Sequence, residues 1–162
     1  AVTAAKTAAI VGLACTFGAL AGGASPAVTD DLTRFGRAIG MIFQLTDDME
    51  ELLGDPAQHG QQPHRDLHAR KKTPMVVGAL ASPTPAGAEL RELFGSPAAL
   101  GDAGALRCAD LIERCGGRDW AYAAIAGYLA EAECALERAV PDPVLRSELA
   151  GYARRLAAAA DR

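Results

Sequence analysis

The sequence contains no asparagine and only three lysines, against thirteen arginines in 162 residues. In a chain so biased toward arginine, we interpret each remaining lysine as retained for a function. The three are Lys6, Lys71 and Lys72, and they lie beside the segments with the strongest chemical character. They are therefore the first candidates for a binding site.

Several signatures of well-known enzyme classes are also missing. The chain has no Walker or dinucleotide-binding glycine motif, no H-E-x-x-H motif and no Ser-His-Asp signature. Its net charge of −4 argues against nucleic acid as the main partner, because proteins that bind phosphate backbones usually carry a basic face. We expect no nucleic-acid partner, and the only basic cluster is residues 68–72.

The cysteines form no recognisable metal or disulfide pattern. There is no C-x-x-C pair and no histidine close to any of them in the sequence. Single cysteines inside apolar helical patterns are typical of reduced core residues in a cytoplasmic protein. We make that prediction for all four: Cys15, Cys108, Cys115 and Cys134.

One uncharged stretch, Thr7 to Val28, is long enough to cross a bilayer, and Gly18-x-x-x-Gly22 resembles a contact motif of membrane helices. Alanine and glycine dominate it, however, and residues 22–26 would break the helix. We therefore predict a tightly packed helix in a bundle, not a membrane span. The chain does not begin with Met, so we expect no signal peptide and a start inside a longer protein.

Helical periodicity runs through nearly the whole chain, so we predict an all-α fold. At this length we expect residues 1–162 to belong to one domain. The first helix should end near Ala21, and the second should open after Pro26, capped by Thr29 or Asp30, and reach Leu53. The predicted apolar face of the second helix is Leu32, Phe35, Ile39, Ile42, Phe43 and Met49.

A polar segment from Gly54 through Arg65, rich in Gln, His and Pro, is predicted to be a flexible lid. Shorter helices should follow it, and we expect the histidines in and beside the lid to lie at the surface. The later predicted helices are Ala88 to Phe94, Leu100 to Cys115 with a stop at Gly116-Gly117, and an antiparallel pair, Trp120 to Val140 and Val144 to Ala160.

The segment Phe43 to Glu51 concentrates four carboxylates in nine residues. In a helix, Gln44, Asp47, Asp48 and Glu51 would share one stripe. A solvated helix end is the simpler interpretation, but acidic residues at a helix C-terminus oppose its dipole. Carboxylates grouped without histidine or cysteine suit Mg²⁺, and the separate basic residues would then hold a diphosphate from the other side.

Several short motifs follow one another in a recognisable order: Lys6-Thr7-Ala8, Gly18-Ala19-Leu20, Phe35-Gly36-x-x-Ile39-Gly40-x-x-Phe43-Gln44-x-x-Asp47-Asp48, Gly54-Asp55-Pro56, Gly60, Asp66-Leu67 and Arg70-Lys71-Lys72-Thr73. This series resembles the C-terminal half of the trans-isoprenyl diphosphate synthases, the polyprenyl synthetase family, and most closely its actinobacterial branch. The resemblance extends from Lys6 to the end of the chain. It implies a helical bundle of the isoprenoid synthase type, of which this chain is the C-terminal portion.

The resemblance also implies a reaction, the magnesium-dependent condensation of isopentenyl diphosphate with an allylic diphosphate. In this family two Asp-rich helices hold three magnesium ions that draw away the allylic diphosphate. Asp47 and Asp48 match the second Asp-rich motif, while Lys6 and Lys71 resemble the lysines that bind diphosphate. The expected catalytic residues are Lys6, Asp47, Asp48 and Lys71; the metal ligands Asp47, Asp48 and Glu51; and the substrate contacts Lys6, Thr7, Phe43, Gln44, Lys71 and Lys72.

The chain departs from the family pattern in four places. The first Asp-rich motif and the arginines that follow it are absent, Gln61 stands where a lysine is usual, Gln62-Pro63-His64-Arg65 replaces a small Pro/Gly-rich step, and Pro74-Met75 replaces Leu-Pro. Three hypotheses remain open: the C-terminal part of an elongating synthase, a terpene cyclase on the same scaffold, and a non-catalytic subunit that modulates a synthase. We expect a homodimer, or assembly with a chain that carries the first motif.

Overall fold

The computed structural model describes residues 4–53 and 64–161, and every regular element in these ranges is helical, which confirms the all-α prediction. A π-helical turn, Ala4–Ala8, leads into the first α-helix, and a 3₁₀ turn, Ala159–Asp161, follows the last. Nearly all of the predicted lid lies outside the described residues. The α-helices are α1 (Ala9–Ala21), α2 (Pro26–Leu53), α3 (Arg65–His68), α4 (Pro74–Ala81), α5 (Pro85–Gly95), α6 (Asp102–Arg114), α7 (Gly117–Ala139) and α8 (Pro143–Ala158).

Glycine ends α1 where the sequence predicted. Gly23 adopts a left-handed φ of 72°, which glycine tolerates, and the N–H of Ala24 reaches back 3.0 Å to the carbonyl of Ala19. The predicted caps of α2 were wrong, because the helix already begins at Pro26 and both Thr29 and Asp30 lie inside it. Proline suits the first helical position, where its missing N–H costs no hydrogen bond.

Three later helices share one start signal, a capping residue followed by proline at the first helical position. Thr73, Thr84 and Asp142 each accept a hydrogen bond from a backbone N–H of the first turn of α4, α5 and α8. This signal places the start of α5 three residues before the predicted Ala88. The predicted stop at Gly116-Gly117 is confirmed only at Gly116, whose φ is 80°, since Gly117 already opens α7.

The chain divides into two compact units, residues 1–46 with 124–162, and residues 47–123. In the first unit α2, α7 and α8 contribute small and branched apolar side chains to one buried cluster. Alanines make up most of it, so helices can approach closely. The cluster consists of Phe35, Ala38, Ile39, Ala132, Ala135, Leu136, Ala139, Val140, Ala150 and Ala153.

The second unit has a core of its own, built from α2 and from α3 to α6. Most of its largest buried side chains are leucine, isoleucine, valine and methionine. Arg107 of α6 donates to both carboxylate oxygens of Glu89 on α5, at 2.7 and 2.8 Å, which adds a tether at the surface. The large buried residues of this unit are Leu67, Met75, Val76, Leu90, Leu111 and Ile112.

Glycines on α2 bring α1 and its π-helical turn close to α2. A Cβ on Gly36 would lie 2.7 Å from the sulfur of Cys15, and a Cβ on Gly40 would lie 2.6 Å from the Cα of Ala8. Gly18, which belongs to the stretch that resembles a membrane-helix contact motif, makes no such close approach, since a Cβ there would meet no neighbouring atom of the described residues within 4 Å. Within the described residues, no helix is both long and apolar enough to cross a membrane.

The burial of α1 and of the cysteines differs from the prediction. The face of α1 away from α2 is exposed, with Ile10, Leu13, Phe17 and Leu20 between 52% and 65% accessible, so α1 is packed on one side only. All four cysteines are free, as predicted, but only Cys108 is fully buried and Cys134 is exposed. Phe43, predicted on the apolar face of α2, is 50% exposed.

Candidate functional site

In the first unit, the structure brings together Thr7 and Gln44. The hydroxyl of Thr7 donates to the side-chain oxygen of Gln44 over 2.8 Å. This contact depends on Gly40, because the absent Cβ lets the π-helical turn rest directly on α2. Single π-helical turns often occur at functional sites. Lys6 lies on the same turn with an exposed side chain.

In the second unit, a buried carboxylate meets a lysine. Asp48 is only 3% exposed, and its Oδ1 lies 3.4 Å from the Nζ of Lys71. The same Nζ is 2.5 Å from Oδ2 of Asp66. A buried charge is costly unless it is paired, so this lysine stabilises the ionised form of Asp48. Two carboxylates thus hold one cation at the end of α2.

The electrostatic environment of Lys71 favours its charged form. Partial burial lowers the pKa of Lys71, but the hydrogen bond from Lys71 to Asp66 and the negative charge of Asp48 outweigh it. The net effect raises the pKa of Lys71 above its ordinary value. The side chain remains about half exposed (48%), which leaves the ammonium accessible from one side.

The other two members of the acidic stripe differ in burial and in contacts. Asp47 is exposed, whereas Glu51 is half-buried and accepts the backbone N–H of Asp66 at 3.1 Å. Glu51 also lies 3.6 Å from the guanidinium of Arg65. Glu51 therefore fixes the start of α3. Asp48, Glu51 and Asp66 nevertheless line one small pocket, together with Leu52, Leu67, Thr73 and Val76.

The donor set fits a hard cation held jointly with a ligand. In the part of the chain that the structure describes, no group of three or more His, Cys, Asp or Glu side chains is arranged to hold a metal by itself. Magnesium, however, is usually bound by one or two carboxylates together with substrate phosphates and water. Oxygen-only donors beside an ammonium are compatible with that mode of binding.

The basic cluster separates into three different environments. Lys71 faces carboxylates, Lys72 is exposed, and the guanidinium of Arg70 points to backbone carbonyls of the last turn of α5 and of Ala98 just after it. The prediction of a surface histidine was wrong for His68. Its Nδ1 lies 2.8 Å from the carbonyl oxygen of Leu100 and its Nε2 lies 3.3 Å from Asp102.

Sequence reasoning assigned no role to Asp66 or Arg70, although both belong to the motifs quoted above. For Asp66 the signal was available, since an aspartate five residues before a lysine can meet it across a helix end. For Arg70 no local signal exists, because its acceptors Leu93, Phe94 and Ala98 are more than twenty residues away in the chain.

Comparison with known proteins gives consistent matches over most of the chain. The sequence model of the Polyprenyl synthetase family matches residues 1–105. Geranylgeranyl diphosphate synthase of Mycobacterium tuberculosis is 37% identical over 150 residues, which are 89% of this chain and 40% of that protein. The chain therefore spans less than half of this relative.

Solved structures agree with the sequence matches. The polyprenyl synthetase of Streptomyces coelicolor A3(2) superposes with a TM-score of 0.82 at 33% identity, covering 98% of this chain and 47% of that one. The geranylgeranyl pyrophosphate synthase of Corynebacterium glutamicum, solved with isoprenyl diphosphate and magnesium, gives a TM-score of 0.70 at 25% identity. That match covers 83% of this chain and 38% of the other.

Proposed function

The chain belongs to the polyprenyl synthetase family of trans-isoprenyl diphosphate synthases, and from that premise we propose that it supplies one wall of a prenyltransferase active site. The reaction would be head-to-tail condensation of isopentenyl diphosphate with an allylic diphosphate. This wall carries the second Asp-rich motif, and the wall with the first motif is provided by a further segment or by a partner chain. Catalysis by the whole assembly would take place in the cytoplasm, in a homodimer or in a complex of two kinds of chain.

The single observation that carries the proposal is the pairing of Asp48 with Lys71. A 3%-exposed carboxylate with an ammonium 3.4 Å away is a place where positive charge is required. The second carboxylate on the same ammonium, Asp66, strengthens that requirement. A structural salt bridge alone would not explain why this pair lies beside the exposed Asp47 in a motif of this family.

In the proposed mechanism Asp47 and Asp48 would hold Mg²⁺, with Glu51 close to the same pocket. Bound magnesium would neutralise the charge that develops on the departing diphosphate. The structure solved with isoprenyl diphosphate and magnesium in the C. glutamicum relative supports this choice of metal. Carboxylates alone repel a diphosphate, so the cation is required before substrate can bind.

The chain's own basic and polar residues would position the diphosphate. Lys71, already charged and half exposed, can contact an anion through the donor positions that do not face Asp48 and Asp66. Lys72, exposed in the same unit, would contribute a second ammonium, and Lys6, exposed beside Thr7 in the first unit, resembles a diphosphate-binding lysine of the family. Gln44 and the half-exposed Phe43 would line the entrance of the cavity for the growing hydrocarbon.

The departures from the family pattern suggested a second function, terpene cyclisation, as an alternative to elongation. One of those departures has a structural explanation, because Pro74 is the first residue of α4 and Met75 is 1% exposed in the core. Pro74-Met75 therefore does not favour cyclisation. Gln61 lies outside the described residues, so it supports neither elongation nor cyclisation. Elongation is therefore the function we propose.

A chimeric synthase tests the proposal. This chain would replace the matching 150-residue segment of the M. tuberculosis geranylgeranyl diphosphate synthase, and the products from labelled isopentenyl and allylic diphosphates would be identified by mass spectrometry. We expect elongated prenyl diphosphates, lost with Asp47→Ala but kept with Asp30→Ala, an exposed aspartate near the start of the same helix. A cyclic product without consumption of isopentenyl diphosphate would contradict elongation.

A further inference from the structure

Arg70 occupies a backbone position that normally belongs to glycine. The N–H of Lys71 bonds to the carbonyl of Asp66 at 2.8 Å, and the N–H of Arg70 bonds to that of Leu67 at 2.9 Å, which together close the end of α3 as a Schellman motif. The residue at the Arg70 position of this motif must be left-handed, and φ of Arg70 is 50°. A residue with a Cβ is disfavoured there, so its side chain needs a compensating role.

The side chain of Arg70 supplies that role by binding backbone carbonyls of another segment. Its Nη1 donates to the carbonyls of Leu93 at 3.1 Å and Phe94 at 2.5 Å, and its Nη2 donates to that of Ala98 at 2.6 Å. Leu93 and Phe94 belong to the last turn of α5, whose carbonyls have no helical partner and attract positive charge. A planar guanidinium carries five N–H donors in a fixed fork, which suits several such acceptors at once.

The next residue in the chain is Lys71, and its backbone is fixed by the same helix end. We propose that Arg70 is a positioning residue, which we call the Arg70 clamp: by fastening the end of α3 to the carbonyls of residues 93–98, it holds the ammonium of Lys71 against Asp48 and Asp66. This inference rests on the proposed function, because the position of Lys71 affects a diphosphate only if Lys71 binds one.

Zero-length coupling tests the clamp without reference to activity. A carbodiimide joins an amine to a carboxylate only when the two are in contact, and the product is located by mass spectrometry through the loss of one water. In the wild-type chain we expect coupling of Lys71 to Asp66 or Asp48. Arg70→Gly retains the left-handed turn but removes the guanidinium, so the coupling yield should fall severalfold.

A matched control is Arg107→Ala, which removes another multiply bonded arginine of the same unit, one that tethers α5 to α6. Coupling in this variant should equal the wild-type yield. Arg70→Gln keeps a long side chain with one donor group and should give an intermediate yield. Equal yields for wild type and Arg70→Gly would overturn the clamp, as would an equal fall in Arg107→Ala.

A second readout separates the clamp from the proposed function. Calorimetric titration with pyrophosphate and magnesium should show weaker binding by Arg70→Gly than by wild type and unchanged binding by Arg107→Ala. If coupling depends on Arg70 but wild type binds no pyrophosphate, the clamp stands and the proposed function fails. If wild type binds and Arg70→Gly binds equally well, the positioning role of Arg70 is contradicted.

Discussion

At the scale of single residues, the cation beside Asp48 is the central feature. A lysine ammonium lies between two carboxylates and balances part of their negative charge. Lysine suits this place better than arginine because a compact ammonium on a flexible stem can change partners, whereas a guanidinium favours one fixed geometry. This explains why a chain rich in arginine retains lysine at position 71.

The raised pKa of Lys71 predicts how stability depends on pH. A pKa higher in the folded chain than in the unfolded chain means that the stabilisation is fully present below the unfolded value, about 10.4, and is lost as pH rises through the folded value. Lys71→Met should therefore reduce the free energy of unfolding at pH 8 and make less difference at strongly alkaline pH. Denaturant unfolding of the wild type and of Lys71→Met, from pH 8 to strongly alkaline pH, measures this difference in the free energy of unfolding.

The control is Lys72→Met, which removes an exposed lysine from the adjacent position. It should change the free energy of unfolding little at either pH, because exposed charges without close partners contribute little. A Lys71→Met effect that did not shrink at alkaline pH would show that the ion pair is not its source.

At the scale of helices, the contact between α1 and α2 is set by glycine. Gly36 and Gly40 lie four residues apart on α2 and present backbone to α1 and its π-helical turn. This close approach holds Thr7 at hydrogen-bonding distance from Gln44. A site residue is thus positioned by two glycines that carry no chemistry.

Gly40→Ala should therefore disturb the site as well as the packing. The new Cβ would lie 2.6 Å from the Cα of Ala8 and 3.1 Å from the carbonyl oxygen of Thr7, both backbone atoms that cannot rotate away. We expect a loss of about 1–3 kcal/mol in unfolding free energy, typical of overpacking. Gly18→Ala is the matched control, because no described atom lies within 4 Å and alanine should stabilise α1 by about 0.5–1 kcal/mol. In thermal unfolding, Gly40→Ala should lower the stability and Gly18→Ala should raise it. Equal effects of the two substitutions would contradict this account of the contact.

The helices also show what sequence reasoning could and could not predict. The end of α1 at Ala21 and the extent of α2 to Leu53 were predicted correctly, because glycine and proline interrupt helices by local chemistry. The start of α5 was placed three residues late, because the proline at position 85 serves as a first helical residue after a threonine cap. Exposure was harder to predict, since Phe43 and the outer face of α1 have core-like composition but are not covered within their unit.

At the scale of the whole molecule, composition and motif order predicted the fold class and the family. The acidic residues could be proposed as a site because their spacing on a helix is local, and the lysines because the chain has only three and they match the family motifs. The actual partners could not be named, since Glu51 binds the backbone of Asp66 and Arg70 binds carbonyls in and just after the last turn of α5. Those contacts depend on how separate segments pack, and no short stretch of sequence encodes them.

The chain spans 40% of the M. tuberculosis relative and 47% of the S. coelicolor structure, and it carries one acidic motif. We predict no turnover by the 162-residue chain alone, because one acidic wall does not assemble the metal cluster that ionises an allylic diphosphate. Incubation with labelled isopentenyl and allylic diphosphates should yield no extended product, in contrast to the chimera. Robust elongation by the isolated chain would mean that one wall is sufficient.

The most direct test of the central claim is calorimetric titration of the isolated chain with pyrophosphate, with and without magnesium. The site described here predicts binding that requires the metal, is strongly weakened by Asp47→Ala and is retained by Asp30→Ala, since only Asp47 belongs to the proposed metal site. Binding of equal strength without magnesium and in Asp47→Ala, or no binding by the wild-type chain, would contradict a magnesium-dependent diphosphate site on this wall.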